Sequence, residues 1–431
     1  MRARLWPLPA LGLALAVAAG VGLPELDRRL GYSVPPRVTA LLFGGGAEAA
    51  RTVLQTIAGS LITVTALTFS LTVVALQMAS SQYSPRLLRT FSTDPYVQVT
   101  LALLLTAFTY ALTVLRTVRT GDGSGKQFVP QLSVSVAFVL ALASVLCLVV
   151  FLSHLVRELR VEVMLVAVHQ DAQHTIDRVL GDDETDRASL EELPRPPAEA
   201  VPLLASRSGF LAAVDEEALL RAAVDADAVV LVDRPPGSSL IAGTPCGSAW
   251  PRERTPFRPG TQDGLLRHAA EAIVTGHEHT DEQDVAFALR QFTDVALKAL
   301  SPGLNDPTTA VHALSHSSAL LCELARHRLG PRALYDGDRR LRVLLNRPDL
   351  SDLLDVAVAQ PLRYGAGEPE VLARLLELLH EVAYVVRPDR PSGVTTYLRR
   401  LRTTVAEQPF PAEERARLDG LVRRAERTMR P

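Results

Sequence analysis

Cysteine and lysine are scarce in this chain of 431 residues, and each scarcity closes a line of argument. Cys147 lies in an apolar run, while Cys246 and Cys322 are far apart and fit no metal-ligand spacing. Three scattered thiols argue against a disulfide framework or a zinc site and suit a reducing compartment. Lysine occurs only at Lys126 and Lys298, so nearly all basic charge is arginine. With abundant alanine, proline and glycine, this points to a GC-rich bacterial genome, and arginine excess is a poor guide to binding. The net charge of −2 gives no basis for a nucleic-acid partner. Catalytic signatures are lacking as well: there is no Gly-x-Ser-x-Gly, no Cys/His arrangement and no phosphate loop between a strand and a helix. The chain reads as non-enzymatic, with no cofactor.

Charge is itself missing over long stretches before about residue 156 and dense after it. A helix needs roughly 20 apolar residues to cross a bilayer. Four stretches qualify, with spans expected near 5–23, 56–80, 95–115 and 131–154. The first is flanked by Arg2 and Arg4 and ends at Pro24 and Glu25. Its basic start and its Ala16-Val17-Ala18 also suit a secretory signal, but it is read here as a span. The expected fold is a multi-span α-helical membrane protein of about four transmembrane helices with a soluble α+β, mostly helical C-terminal domain. Its parts are a membrane block at 1–160, a helical connector and linker at 161–197, a small α/β module at 198–250 and a helical domain at 251–431.

An even number of spans puts both termini on one side. Arg2, Arg4, Arg86, Arg89, Arg157 and Arg160 would face that side, against Arg28, Arg29, Arg37, Arg51, Arg116, Arg119 and Lys126 opposite. The positive-inside count therefore decides nothing. Unpaired cysteines place the C-terminal domain in the cytoplasm, and the protein in the bacterial inner (plasma) membrane as a multi-pass chain.

The second span is unusually polar. On a helical wheel Thr56, Ser60, Thr63, Ser70, Gln77 and Ser81 share one face, interrupted by Leu67 and Val74, with Thr65, Thr68 and Thr72 on the opposite side. Small and hydroxylated residues let membrane helices approach and hydrogen-bond. The stripe is thus either a helix–helix seam or the lining of a water-filled path, the second favoured by Gln77.

In the soluble part, Phe210–Val214 and Val229–Val232 read as strands around a helix from Glu216 to Ala223. Pro235-Pro236-Gly237 then turns the chain into Leu240-Ile241-Ala242, which Gly243 and Pro245 end. Helices follow over Gly264–Thr275, Asp284–Leu300, Pro307–Arg328, Leu350–Val358 and Pro369–Val386. The charged segment Ala412–Met429 reads as a solvated or partner-facing helix.

Two motifs go further. The run Ser70-Leu71-Thr72-Val73-Val74-Ala75-Leu76-Gln77-Met78-Ala79-Ser80-Ser81-Gln82-Tyr83-Ser84-Pro85-Arg86 is one, and Ala299-Leu300-Ser301-Pro302-Gly303-Leu304-Asn305-Asp306-Pro307-Thr308-Thr309-Ala310 is the other. Both resemble the bacterial predicted-membrane-protein family called domain of unknown function 2254, from the first span to about residue 400. The resemblance implies a multi-span protein with a C-terminal cytoplasmic domain, and brings no reaction, ligand or catalytic residue. Pro85, Arg86, Ser301, Pro302, Asn305, Asp306 and Pro307 are motif positions of unassigned role. One departure stands out: the family tends to have an arginine before Thr280, where this chain has His279.

Two clusters have chemistry in reach. His277, His279, Asp281, Glu282 and Asp284, with His312 and His316 four residues apart on one helix face, could chelate a metal. Against that, Asp281 is placed to cap the following helix, and no metal is expected. Asp306 and Pro307 suit the cap and first position of a helix, and the free N–H groups there, with Lys298 near in sequence, could hold a small anion. The favoured reading is a homo-oligomer in the lipid bilayer, channel-like or transport-related, conducting an ion, with a regulatory cytoplasmic domain. Its rivals are a membrane-anchored sensor or scaffold and, behind that, a membrane enzyme.

Overall fold

The computed structural model describes residues 7–30, 43–82, 95–119, 128–158, 160–181, 187–189, 195–253, 257–258, 260–386 and 393–429. The chain divides into two compact units, Met1–Val163 and Met164–Pro431.

The first unit contains α1 (Pro7–Leu30), α2 (Ala47–Gln82), α3 (Pro95–Leu115) and α4 (Gln131–Glu158), each long and apolar enough to cross a membrane. Helix α3 packs against the other three, burying Leu104, Ala107, Tyr110, Ala111 and Val114. Small residues allow the closest approach. A Cβ added at Gly12 would lie 2.3 Å from Thr106 Oγ1, and one at Gly20 would lie 2.7 Å from Thr113 Cβ. Contact at that range depends on the missing side chain. Helix α4 leaves Phe138, Val139, Leu142, Val145, Leu146 and Val149 exposed, an apolar surface suited to lipid rather than water.

Helix α1 continues past Pro24, where the uncharged stretch ends, to Leu30. Proline inside a helix forfeits one backbone hydrogen bond. The continuation brings Asp27 to the start of α4, where its Oδ1 accepts Leu132 N–H at 3.2 Å. Its Oδ2 accepts the Ser133 N–H and Oγ–H at 3.0 Å each. A carboxylate on the unpaired N–H groups of a helix start is a strong cap, and it complements the helix dipole. Helix α2 likewise starts at Ala47 rather than near 56. At 1.5 Å per residue its length is about 54 Å, well beyond a hydrocarbon core of about 30 Å.

The second unit follows α5 (Val161–Leu180) with a six-stranded sheet. Its strands are β1 (Arg187–Ser189), β2 (Val201–Leu204), β4 (Ala228–Val232), β6 (Pro245–Pro251), β8 (Arg332–Tyr335) and β9 (Leu341–Leu345), in the order β1-β8-β9-β4-β6-β2. Among the described residues, only the central β4–β9 pair is parallel, with Val230 opposite Val343. A smaller sheet joins β3 (Gly209–Val214), β5 (Ser239–Leu240) and β7 (Ile273–Gly276) in the order β5-β3-β7. Helices α6 (Glu216–Asp225) and α7 (Thr261–Glu271) share one core with both sheets, built on Leu203, Val214, Leu219, Val230, Leu265 and Val343.

Strand pairing crosses the boundary expected at residue 250, since β4 lies between β6 and β9. The stretch 251–431, expected to be helical, supplies β7, β8 and β9. Periodicity is silent at β9 because both of its faces are covered: Val343 and Leu345 join one cluster, Leu344 the other. A central strand buried on both faces is a short apolar run, which pattern cannot tell from a buried helix. Pro245 opens β6 instead of ending a hairpin, the first residue of a strand being a place proline tolerates.

The rest is helical: α8 (Phe287–Ala299), α9 (Pro307–Leu324), α10 (Leu350–Leu354), α11 (Gln360–Tyr364), α12 (Pro369–Val385), α13 (Val394–Glu407) and α14 (Ala412–Thr428). Between α10 and α11 the chain makes a π-helical turn, Asp355–Ala359, just before Pro361, which has no N–H to donate. The charged α14 is not fully solvated, since Leu418, Val422 and Ala425 are buried and it packs on α12 and α13.

Candidate functional site

Helix α2 presents two polar faces with opposite fates. Its packed face carries Leu54, Ala58, Leu61, Thr65, Thr68 and Ala75, all buried. The stripe of Thr56, Ser60, Thr63, Ser70 and Gln77 is exposed on the other side. The side chain of Ser81 and the residues Pro85 and Arg86 lie outside those described. Within the chain, then, the seam is formed by the opposite threonines. Thr65 Oγ1 donates to Leu61 O at 2.7 Å and Thr68 Oγ1 to Val64 O at 2.8 Å, so these hydroxyls enter the interior satisfied. In the stripe, Thr56 and Thr63 bond the carbonyls four residues back, at 2.8 and 3.0 Å. Gly59, on the same exposed side, adjoins open space.

The second family motif forms the turn between α8 and α9. Asn305 N–H donates to Ser301 O at 2.9 Å and Asp306 N–H to Ala299 O at 2.9 Å, while Asn305 sits at φ 46°. Asp306 caps α9 by accepting from Thr309 N–H at 3.1 Å and from Thr309 Oγ1 at 2.5 Å, with Pro307 at the helix start. These bonds hold the Asp306 carboxyl below its usual range. The N–H that an anion would use at this helix start is thus already taken by Asp306. Pro302, Gly303, Leu304 and Asn305 are exposed.

The histidine cluster separates into two groups. His279 lies between Phe210 and Phe287 and bonds Asp284 Oδ2 at 2.6 Å. Asp284, buried, also accepts from Arg290 Nη1 at 2.5 Å and from Ala286 N–H at 3.0 Å. A side chain at Gly237, where φ is 85°, would sit 2.3 Å from His279 Nε2 and 2.5 Å from Asp284 Oδ2, so only glycine fits. The expected cap by Asp281 is corrected. Asp284 bonds the N–H groups entering α8, whereas Asp281 offers its backbone carbonyl to Thr175 and Arg178. His277 is exposed. His316 packs instead against His169 of α5, with ring centres 5.6 Å apart, and against Phe292 at 5.5 Å. Burial there, with His169 and His312 nearby, pushes the His316 imidazole below its usual value. Among the described residues, no three His, Cys, Asp or Glu side chains converge as a metal site.

A feature absent from the sequence reading is a cavity of ≈ 480 Å³ in the second unit, lined by ends of several elements. Glu216 opens α6, Arg332 opens β8, and Arg347 follows β9. Glu216 Oε1 accepts from Arg332 Nη1 at 3.4 Å and from Arg347 Nη2 at 3.2 Å. Gln283 clamps the end of β3, accepting from Val214 N–H at 2.9 Å and donating to Val214 O at 3.0 Å, and also accepts from Arg347 at 3.2 Å. Burial lowers the proton affinity of the Arg347 guanidinium, and Arg332 beside it adds to the effect. Asp215, Glu217 and Glu282 line the same cavity and are exposed. Positions 216, 283, 332 and 347 share no local motif, so no spacing rule could have found them.

The fold and these sites define a class: a four-span helical membrane protein with a separate mixed α/β unit. The profile of the family described as predicted membrane protein, domain of unknown function 2254, matches residues 2–381, and the chain belongs to that family. Uncharacterized proteins of Mycobacterium tuberculosis and Mycobacterium bovis are each 36% identical to it over 429 residues, covering 99% of this chain and 80% of theirs. No solved structure matches the chain.

Proposed function

We propose that the protein is a homo-oligomeric, channel-like component of the bacterial inner membrane, in which α2 stripes from several copies line a path for ions and the C-terminal unit regulates it from the cytoplasm. One observation supports this: the polar stripe of α2 faces away from its own bundle. Thr56 and Thr63 satisfy their hydroxyls on their own helix, but an amide such as that of Gln77 left against lipid without a partner costs on the order of 2–7 kcal/mol, so it favours water or another copy of the helix. An amide such as that of Gln77 can also replace part of an ion's hydration shell, which an aliphatic group cannot.

The test is flux through purified full-length protein in liposomes, with Ser70→Leu and Gln77→Leu compared with wild type. A path predicts lost flux with assembly intact. A dry seam between copies, as in a scaffold or sensor, predicts no flux in any variant and weaker oligomers, since interhelical hydrogen bonds in membranes contribute about 0.6–2 kcal/mol. Cysteines at Thr63, Ser70 and Gln77 in a cysteine-free chain separate the cases again. Labelling by a water-soluble thiol reagent supports the path, and protection at all three refutes it.

A further inference from the structure

We propose that the open end of the α13–α14 hairpin docks on anionic phospholipid headgroups of the membrane in which the chain is embedded. The surface is a cluster of exposed arginines beside one exposed tyrosine, and it lies wholly in the second unit. It is independent of any conduction through the first.

Helices α13 and α14 run antiparallel, since Arg402 Nη1 donates to Glu426 Oε1 at 3.3 Å and Thr395 Oγ1 to Met429 Sδ at 3.9 Å. That pairing brings Arg399 and Arg402 to the half of α14 that carries Arg423, Arg424 and Arg427, and all five are exposed. Leu418, Val422 and Ala425 are the buried side of α14, so its three arginines point outward. Arginine abundance alone marks nothing in this chain, but its segregation does. Exposed Glu407, Glu413 and Glu414 gather at the closed end of the hairpin, with Asp419 between. From Glu414 to Arg427 is about 20 Å along the helix, more than twice the screening length of about 8 Å at physiological salt. The acidic end therefore does not cancel the field of the basic end.

Among the described residues, Arg399, Arg423, Arg424 and Arg427 meet no carboxylate. The acidic groups at this end are already engaged, Glu426 with Arg402, and Glu377 and Glu381 of α12 with Arg374. Solvated guanidiniums without a counter-charge attract an anionic surface, and each one near it raises occupancy about fivefold. Tyr384 adds a second feature: it is 81% exposed, the most exposed large hydrophobic side chain among the described residues. It stands one turn past His380, whose Nδ1 lies 3.0 Å from Thr428 Oγ1 at the end of α14. A ring with an apolar body and a polar tip is at home at headgroup level. An aromatic beside arginines also suits nucleic acid. The second unit, however, is tethered to a bilayer by its own chain, which keeps headgroups at a high effective concentration that no free polyanion shares.

The experiment places the full-length protein in nanodiscs, where both bilayer faces are open and the sidedness of the chain does not matter. A single cysteine replacing Thr403, exposed on α13, carries a fluorophore in a cysteine-free chain, and the bilayer carries a headgroup quencher. The bilayers are phosphatidylcholine alone, or phosphatidylcholine with about a third phosphatidylglycerol. The expected result is quenching in the anionic bilayer, little in the zwitterionic one, and loss of quenching in about 0.5 M salt, where screening shortens to roughly 4 Å. Arg423→Gln combined with Arg427→Gln should cut the ratio of docked to free protein about tenfold or more, and Tyr384→Ser several-fold. Glu413→Gln combined with Glu414→Gln, at the closed end, should leave it within about twofold. Every one of these positions is exposed, so the variants keep the fold. Equal quenching in the two bilayers overturns the proposal, as does quenching in neither. An unchanged signal in the double arginine variant overturns it too. Binding of a labelled RNA or DNA duplex to the full-length protein, with no lipid-dependent quenching, assigns the patch to nucleic acid, and the proposal falls.

Discussion

Replacing Asp27 with alanine should destabilise the membrane unit by about 2–3 kcal/mol, and the estimate follows from three hydrogen bonds. Losing a helix cap costs about 0.5–2 kcal/mol, and hydrogen bonds to a charged acceptor sit at the upper end of the usual scale. The Asp27 carboxylate serves the Leu132 and Ser133 N–H groups together with the Ser133 hydroxyl. Ser133 is fully buried, so its donors find no water when the acceptor is removed. Asp27→Asn keeps one carbonyl oxygen and loses the charge that complements the α4 dipole, which should cost about 1 kcal/mol. Ser133→Ala removes one of the three bonds, and the double variant should cost less than the sum of the singles by about 1 kcal/mol, the signature of a direct contact. The assay is unfolding of the full-length protein in mixed micelles by increasing SDS, followed by circular dichroism. If Asp27→Ala and Asp27→Asn both unfold within about 0.5 kcal/mol of wild type, Asp27 does not cap α4, and the continuation of α1 past Pro24 loses its rationale.

Three further outcomes are expected. Asp284→Ala leaves Arg290 and His279 without their shared buried carboxylate and should lower stability by about 3–5 kcal/mol, read as an earlier chemical-denaturation midpoint of the second unit. His316 is held below its ordinary value of 6.5, so the unfolded chain binds the extra proton first as pH falls. Stability should be fully present well above that value and decline as pH falls through it. His316→Gln should flatten the decline, and an unchanged profile would remove His316 as its cause. Reporter fusions at Gly123 and at the C-terminus should report opposite sides of the membrane; the same side would mean that the spans are miscounted.

How much of this was legible depended on whether local pattern and tertiary packing agreed. The four spans were readable because a bilayer imposes a one-dimensional rule: about 20 residues without charge, whatever the neighbours. Their ends were not, since Asp27 extends α1 through contacts more than 100 residues away in sequence. The Asp306 cap and Pro307 were legible because capping is local. Strand β9 was not, because its apolar run takes its meaning from β4 on one side and β8 on the other. The histidines show the same dependence: His279 and His316 join different neighbours, Asp284 in one case and His169 in the other.

His279 shows how a residue is read once its partner is known. An imidazole at this position bonds the buried Asp284 carboxylate, which is also where an arginine in its place would find an opposite charge. The anion partner is thus a side chain of the protein itself, and the space for the contact is kept by Gly237, whose φ of 85° and missing Cβ admit the ring. On the α2 stripe the Thr56 and Thr63 hydroxyls are answered by their own helix, whereas the Gln77 amide is turned outward and exposed. A polar group that the chain satisfies internally explains stability. One that it turns outward across a membrane calls for a second molecule, and that contrast, more than any motif, directs the functional reading toward α2.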